Sequence, residues 1–300
     1  MSEIEIGVIG GSGLYAMDEL TVREERRVET PFGQPSDAFV LGELEGRSVA
    51  FLSRHGRGHR LLPSEINSRA NLYAMKVLGV QRIVSVSAVG SMQHAYEPTH
   101  IVVPDQFFDR TRHRADTFFG RGLVGHVSLA DPVCSEMLDV AAEAGRAAGA
   151  TVHRGGTYLC MEGPQFSTRA ESHVYRSWGV DVIGMTNLQE ARMAREAEIC
   201  YATLAMVTDY DCWHEEEEAA HTASILEVLR QNVATAQRVV AETIRRLPAR
   251  SAEHPCANAL AGALVTDPSV VPPETLRDLE PIVGRYLAGG ATESTAESAD

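Results

Sequence analysis

Three hundred residues leave room for one large α/β domain or two average ones. Hydrophobic residues make up 44% of the chain and charged residues 23%, the mix of a globular protein with a sizeable core. The net charge of -14 and the lack of any Lys/Arg run exclude nucleic acid and an anionic membrane surface as expected partners. A small anion is not excluded, because a local cluster of amides and one or two cations can outweigh a distant net charge.

No apolar stretch approaches the roughly 18 residues of a membrane span. The opening MSEIEIGVIGG carries acids where a signal peptide needs bases, so a cytoplasmic protein is expected. The five cysteines, Cys134, Cys160, Cys200, Cys212 and Cys256, include no C-x-x-C pair. An odd, scattered set fits a reducing compartment and reads as free buried thiols. No zinc spacing is visible, and no metal is expected.

Short apolar runs alternate with helical patterns up to about residue 246. Strands are predicted at 5–10, 49–54, 82–89, 100–107, 157–162, 181–186 and 201–208. Several lack strict alternation, as strands covered on both faces do. FVLGELEGRSVAFL reads as a hairpin turning near Gly46. Between the strands, a helix is predicted to open at Pro63-Ser64 and close at Gly79. Others run from Cys134 to Gly149, from Ser167 to Gly179, over 188–199 and over roughly 219–246. This alternation predicts an α/β fold with helices on both faces of a sheet. Residues 1–247 are expected to form one domain and 248–289 a C-terminal helical appendage packed on it. The small, polar and acidic residues 290–300 are expected to be disordered.

Five segments carry chemistry. Ile9-Gly10-Gly11-Ser12-Gly13 follows the first strand, where glycines let successive N–H groups converge on an anion and Ser12 adds a hydroxyl. Gly11, Gly13 and Ala16 also satisfy G-x-G-x-x-A, but the charged MDELTVREERRVE that follows is not the apolar second strand of a dinucleotide site. Ser53-Arg54-His55-Gly56-Arg57-Gly58-His59-Arg60 brings a planar fork of donors to a strand end, matched to phosphate oxygens; a solvated basic loop is the bland alternative. Ser85-Val86-Ser87-Ala88 would add the Ser87 hydroxyl and the Ala88 amide to the same anion.

Glu162-Gly163-Pro164-Gln165-Phe166-Ser167 could clamp a flat base, although Ser167 with Ala170 or Thr168 with Glu171 also fits a helix-capping box. Thr208-Asp209-Tyr210-Asp211 ends the last predicted strand, at the edge where α/β folds bind ligands. Beyond it, His214, Glu217, Glu218 and His221 share a helical face. They are not H-E-x-x-H, and four consecutive Glu read as a solvated helix start.

In this order the segments resemble the purine nucleoside phosphorylase and methylthioadenosine phosphorylase family, and the methylthioadenosine enzymes most. VIGGSGLY, TPFGQPSDAFVLG, SRHGRGH, LPSEINSRANLYAMK, SAVGSM, VVPDQFFDRT, EGPQFSTRAES, DVIGMTN and ATLAMVTDYDCW carry the likeness, over about three quarters of the chain. The resemblance implies a twisted mixed β-sheet flanked by helices. It implies a pentosyltransferase with no cofactor, inorganic phosphate being a co-substrate, and a homotrimer or dimer of trimers.

Carried over by position, phosphate is expected at Ser12, Arg54, His55, Ser87, Ala88 and Thr186, and ribose at Met185. The purine is expected between Phe166 and Ser167 on one side and Asp209, Tyr210 and Asp211 on the other. His126 matches a residue lent to the neighbouring subunit's 5' pocket, and Thr222 and Ile225 match positions lining it. Methylthioadenosine enzymes tend to have an apolar residue where this chain has Thr222. The Ser12 loop often carries Thr, which keeps the hydroxyl.

The implied reaction is phosphate-dependent cleavage of the N-glycosidic bond of 5'-methylthioadenosine or a related 5'-modified adenosine. The departing purine needs a proton or strong hydrogen bond at N7, with Asp209 as the candidate donor. A free Asp near pKa 3.9 is protonated about one time in a thousand at pH 7, a penalty of roughly 4 kcal/mol that burial beside a second carboxylate would reduce. An ionised Asp accepts from the 6-amino group of adenine and meets a 6-oxo purine acceptor to acceptor. The competing readings are a general purine nucleoside phosphorylase acting on adenosine or inosine, a non-catalytic nucleoside-binding protein and an NAD-dependent oxidoreductase.

Overall fold

The Val- and Ile-rich runs form the interior of a mixed sheet in a computed structural model that describes residues 4–15, 17–214 and 222–287. Its strands are β1 Ile6–Gly10, β2 Thr21–Arg26, β3 Phe39–Leu44, β4 Arg47–Ser53, β5 Arg82–Ser91, β6 Ile101–Val103, β7 Gln106–Arg110, β8 Val152–Arg154, β9 Thr157–Met161, β10 Val182–Gly184 and β11 Cys200–Tyr210. The helices are α1 Ser68–Val77, α2 Ser135–Ala147, α3 Arg169–Ser177, α4 Asn187–Glu196, α5 Thr222–Arg246 and α6 Pro273–Leu287. The main path of the sheet runs β2-β3-β4-β1-β5-β10-β9-β7, and β11 joins β5 to a second branch of β6 and β8.

β5 is the branch point. Its first half pairs in parallel with β1, its last two residues pair with β10, and β11 runs in parallel along its other edge. β1, β4, β5 and β11 therefore point the same way and end at the same rim of the sheet. Their residues are buried almost without interruption, as expected where both faces are covered. Helix α1 packs with α4 and α2 with α5, and both pairs feed the main hydrophobic core.

Several boundaries differ from the sequence expectation, each for a local reason. The predicted strand 100–107 is two strands, because Pro104 interrupts the ladder and the chain crosses from the β6–β11 branch to the β7–β9 branch. The helix expected from Pro63 starts at Ser68. There the Asn67 side chain accepts from the Ala70 N–H, and Pro63–Glu65 forms a separate 3-10 turn. Of the two capping boxes open to the third helix, Thr168 with Glu171 is the one formed. The β3–β4 hairpin turns at Glu45-Gly46 as expected, both with positive φ. Strands β2 and β8 were not expected. β2 is the exposed, charged edge TVREER. The dinucleotide alternative fails, because β1 is followed by the 3-10 turn Ser12–Tyr15 and not by an α-helix.

Beyond residue 248, Cys256, Leu260, Val271, Leu279, Ile282 and Val283 join the main core. Arg285 donates to Glu198 at 2.7 Å, and the Tyr73 hydroxyl donates to the Asp278 carbonyl at 2.7 Å. The expected tail 290–300 lies outside the described residues. Among the described residues no helix is long and apolar enough to cross a membrane.

Candidate active site

The ends of β1, β4, β5, β10 and β11 open into one cavity of about 580 Å³. Gly11 and Gly13 line it from the first, Arg54 and His55 from the second and Val86 to Gly90 from the third. Gly184, Met185 and Thr186 come from the fourth, and Thr208, Asp209 and Asp211 from the last. The glycine-flanked Arg-His segment and the strand-terminal acids, separated by about 155 positions in sequence, thus share a single cleft, as strand ends at one rim of an α/β sheet allow.

Arg54 is held rigidly. It is 3% exposed and donates from Nε to Glu190 Oε1 at 2.5 Å and from Nη2 to Glu190 Oε2 at 3.1 Å. It donates also to the Ser85 hydroxyl at 2.5 Å and from Nη1 to the Val86 carbonyl at 2.9 Å. Four of the five guanidinium N–H groups are then used, which leaves one on Nη1. Glu190, on α4, also accepts from Tyr201 at 2.8 Å and Ser85 at 2.8 Å. The ion pair keeps Arg54 charged, with its pKa raised by Glu190 against the opposing effect of burial, which is the largest single influence.

His55, expected against phosphate, is not a cation in the folded chain. Burial, then the neighbouring Arg54 and His59, depress its pKa to about 4 against the opposing hydrogen bond to Leu61, so the ring is neutral near pH 7. Its Nδ1 lies 2.9 Å from the Leu61 carbonyl, which can only accept, so Nδ1 carries the proton and Nε2 is an acceptor. The His59 ring stacks on it at 4.2 Å. With Arg54 matched by Glu190 and His55 neutral, this corner offers hydrogen bonds more than net positive charge.

Ser87 and Thr186 complete the corner. Both are buried, and the Ser87 hydroxyl has no hydrogen-bond partner. Thr186 is the N-cap residue of α4, whose free N–H groups and positive dipole end favour an anion. The Gly13 carbonyl accepts from Gln237 of α5 at 2.8 Å, which fixes the glycine turn. The side chain of Ser12 is not described.

At the opposite end of the cleft, a β-bulge sets the acids. β11 pairs Val207 with Val89 but Asp209 with Gly90, so Thr208 is the extra residue. The shift moves Asp209 and Asp211 to the other face from the one an unbroken ladder would give them. Gly90 makes room: a Cβ there would sit 3.6 Å from Asp209 Oδ2 and 3.6 Å from Asp211 Cβ. Asp209 accepts from the Thr208 hydroxyl at 2.7 Å. Asp211 is 6% exposed, its Oδ2 has no partner, and burial raises its pKa.

The remaining expected residues divide. Ala88, Met185 and Phe166 line the cavity, and Phe166 is 48% exposed at its edge. Gly163, at φ 67°, is required beneath Met185, whose Sδ would lie 2.5 Å from any Cβ there. Ser167 and Tyr210 are not in the lining. The Ser167 hydroxyl meets Met161 Sδ at 3.8 Å. Tyr210, which alternates to the other face of β11 from its acidic neighbours, donates to the His94 carbonyl at 3.1 Å and stacks on His214. His126 is exposed and is not in the lining of the cavity. Thr222 and Ile225 begin α5, but their side chains are not described, and Glu217, Glu218 and His221 lie outside the described residues. Sequence reasoning missed Glu190, Met161, Met206 and Val233, and it quoted His59 and Arg60 in the basic loop without giving either a role. Glu190 had no signal at all, since nothing in NLQEARMARE marks one acid as buried.

The chain matches the phosphorylase superfamily over residues 5–245. The chain belongs to this family. It is 57% identical over 285 residues to the S-methyl-5'-thioadenosine phosphorylase of Koribacter versatilis, covering 95% of this chain and 97% of the relative. Among solved structures, a methylthioadenosine phosphorylase from an antarctic soil metagenomic library has 49% identity and a TM-score of 0.89, covering 94% of this chain and 99% of that one. A mutant adenosine/methylthioadenosine phosphorylase of Schistosoma mansoni, in complex with methylthioadenosine, has 34% identity and a TM-score of 0.78, covering 83% of this chain and 93% of that one. The superfamily match ends at residue 245, but the Koribacter relative also spans most of the C-terminal segment.

Proposed function

We propose that this protein is a 5'-methylthioadenosine phosphorylase, cleaving the N-glycosidic bond with inorganic phosphate to give adenine and 5-methylthioribose 1-phosphate. The observation that carries this reading is the single cleft with a donor-rich corner at one end and two carboxylates at the other. The names of the relatives point to the same substrate.

Phosphate lies against the Gly11–Gly13 turn with Ser12, the free Arg54 N–H, His55, Ser87, the Ala88 amide and Thr186. Two buried polar atoms lacking partners, Ser87 Oγ and Asp211 Oδ2, gain them when phosphate and purine bind. Because Glu190 already neutralises Arg54, the phosphate keeps its own charge. That charge stabilises the sugar cation that grows as the bond to N9 breaks. Holding phosphate beneath C1' also removes much of the entropic barrier. Met185 supports the ribose, and Phe166 covers the base.

Asp209 supplies the hydrogen bond to N7 and Asp211 completes the acidic pair; burial raises the pKa of Asp211 and so favours its protonated form. The same pair accepts from the 6-amino group and so favours adenine. No cofactor is required, the protein acts in the cytoplasm, and the assembly is a trimer or dimer of trimers in which a partner's His126 reaches the 5' end.

The test is a rate comparison of methylthioadenosine, adenosine, 5'-deoxyadenosine and inosine, with phosphate present and absent. Free adenine appearing fastest from methylthioadenosine, and only with phosphate, is the expected result. Equal rates on adenosine and inosine would favour a general purine nucleoside phosphorylase, and no adenine from any substrate would leave a binding protein.

A further inference from the structure

Outside the lining of the cleft, four potential ligands converge. Cys134, Cys200, His254 and Cys256 bring three thiols and an imidazole to one point, with ligand atoms all within 4.8 Å of one another. The three cysteines are buried, at 3%, 0% and 4% exposure. They come from three places: Cys134 is the N-cap residue of α2, Cys200 opens β11, and His254 and Cys256 flank Pro255 in the C-terminal segment. Cys134 Sγ lies 3.8 Å from His254 Nε2, and Cys200 Sγ lies 3.6 Å from His254 Nδ1.

We propose that Cys134, Cys200, His254 and Cys256 form a closed structural zinc site that fastens the C-terminal segment to the catalytic body. A tetrahedral zinc with bonds of about 2.3 Å to sulfur and about 2.0 Å to nitrogen sets ligand atoms roughly 3.5–3.8 Å apart. The observed spacing, at most 4.8 Å, needs a contraction of no more than about 1.3 Å. Three thiolates and one imidazole suit zinc, and four protein ligands leave no open position for catalysis.

The surroundings fit an anionic centre. Three thiolates, a neutral imidazole and a divalent ion carry a net charge of -1, which a buried site must balance. Arg195 Nη1 lies 3.8 Å from Cys256 Sγ. Arg82, the strand neighbour of Cys200, is fully buried; its Nη1 donates to Glu136 Oε1 at 2.5 Å, and its Nε and Nη2 lack partners. Glu136 Oε1 lies 3.8 Å from His254 Nε2, where an outer carboxylate orients a metal-bound histidine through its second nitrogen. Nδ1, which now accepts from the Cys256 N–H at 3.1 Å, is then the ligand atom. Each thiol gives up its proton to solvent on binding, so uptake is weaker at low pH.

Sequence spacing hides this site, because positions 134, 200, 254 and 256 match no zinc-finger pattern. Its consequence is mechanical. His254 and Cys256 are tied to α2 and to β11, whose far end carries Asp209 and leads to Asp211.

The experiment uses the full chain without an affinity tag, purified under reducing conditions. Its metal content is measured, and apoprotein is then titrated with zinc against a chromophoric chelator and with cobalt(II) in the spectrometer. One zinc per chain, bound more tightly than by the chelator, with thiolate-to-cobalt absorption of a tetrahedral site, is the expected result. Cys134→Ser and Cys256→Ser should lose the metal, whereas Cys212→Ser should keep it. Apoprotein that takes up neither ion while its thiols remain free overturns the proposal whatever the variants do. So does a Cys134–Cys200 disulfide, read as a mass loss of two hydrogens, that persists in the protein purified with reductant.

Discussion

Arg54 donates to both carboxylate oxygens of Glu190, from Nε at 2.5 Å and from Nη2 at 3.1 Å, with both side chains withdrawn from solvent. Breaking a buried pair of this kind by removing one charge costs about 3–5 kcal/mol, because the other charge is left uncompensated. Glu190→Gln should therefore lower the denaturant midpoint substantially. It should also leave Arg54 with net charge beside the bound phosphate, so the phosphate KM falls while kcat falls too. Arg54→Ala should do the opposite to binding and raise the phosphate KM by more than about tenfold, a loss of about 1.4 kcal/mol. Steady-state kinetics with phosphate varied checks both; an unaltered phosphate dependence in Arg54→Ala removes it from the site.

The paired acids give a second prediction. Asp209→Asn replaces an acceptor with a side chain that can also donate, so it should collapse turnover of adenosine-type substrates and relax selection toward inosine-type ones. The purine-side effect should leave the phosphate KM nearly unchanged. Rates on the two nucleosides, measured side by side, decide it: if neither changes, Asp209 has been assigned wrongly.

Much of this was legible because local rules and tertiary structure agree. The runs EIGVIG, RIVSVSAV and YATLAMVT are apolar on both faces and became β1, β5 and β11 at the centre of the sheet. β2 escaped because TVREER is a solvent-facing edge with no apolar pattern to read. The division between β6 and β7 was written in Pro104 but overridden by the hydrophobicity around it. At the site, motif residues were legible and their supports were not. Glu190 serves by standing behind Arg54, and the Thr208 bulge is a property of pairing with β5 that no single segment encodes.

Protonation of His55 gives a third prediction. Its pKa falls from an ordinary 6.5 to about 4 in the folded chain, chiefly through burial. Between those values the unfolded chain binds a proton that the folded chain refuses, so stability falls as pH drops from about 6.5 to about 4. Glu196 acts oppositely: burial raises its pKa from 4.5 to about 7, so stability falls as pH rises across that range. The two partly cancel in the parent. His55→Asn, able to keep the hydrogen bond to Leu61, should remove the first effect alone. Denaturant midpoints across the window should then decline less on acidification than in the parent. A parallel decline in both proteins would mean His55 is already charged when folded.

Gly90 gives the last. It faces the acids across β5 and β11, where a Cβ would meet Ile183 Cγ2 at 3.2 Å and Asp209 Oδ2 at 3.6 Å. A single methyl can be accommodated if Ile183 shifts by a few tenths of an ångström, so Gly90→Ala should fold and lose only a few-fold in nucleoside kcat/KM. The two further methyls of Val occupy space beside the acids, against which the purine is proposed to lie. Gly90→Val should raise the nucleoside KM by more than about tenfold, a loss of about 1.4 kcal/mol, with the phosphate KM little changed. Kinetics with each substrate varied in turn, on variants shown by circular dichroism to be folded, separate the two ends of the cleft. A Val variant that bound nucleoside normally and phosphate poorly would mean that the base does not occupy the acidic end.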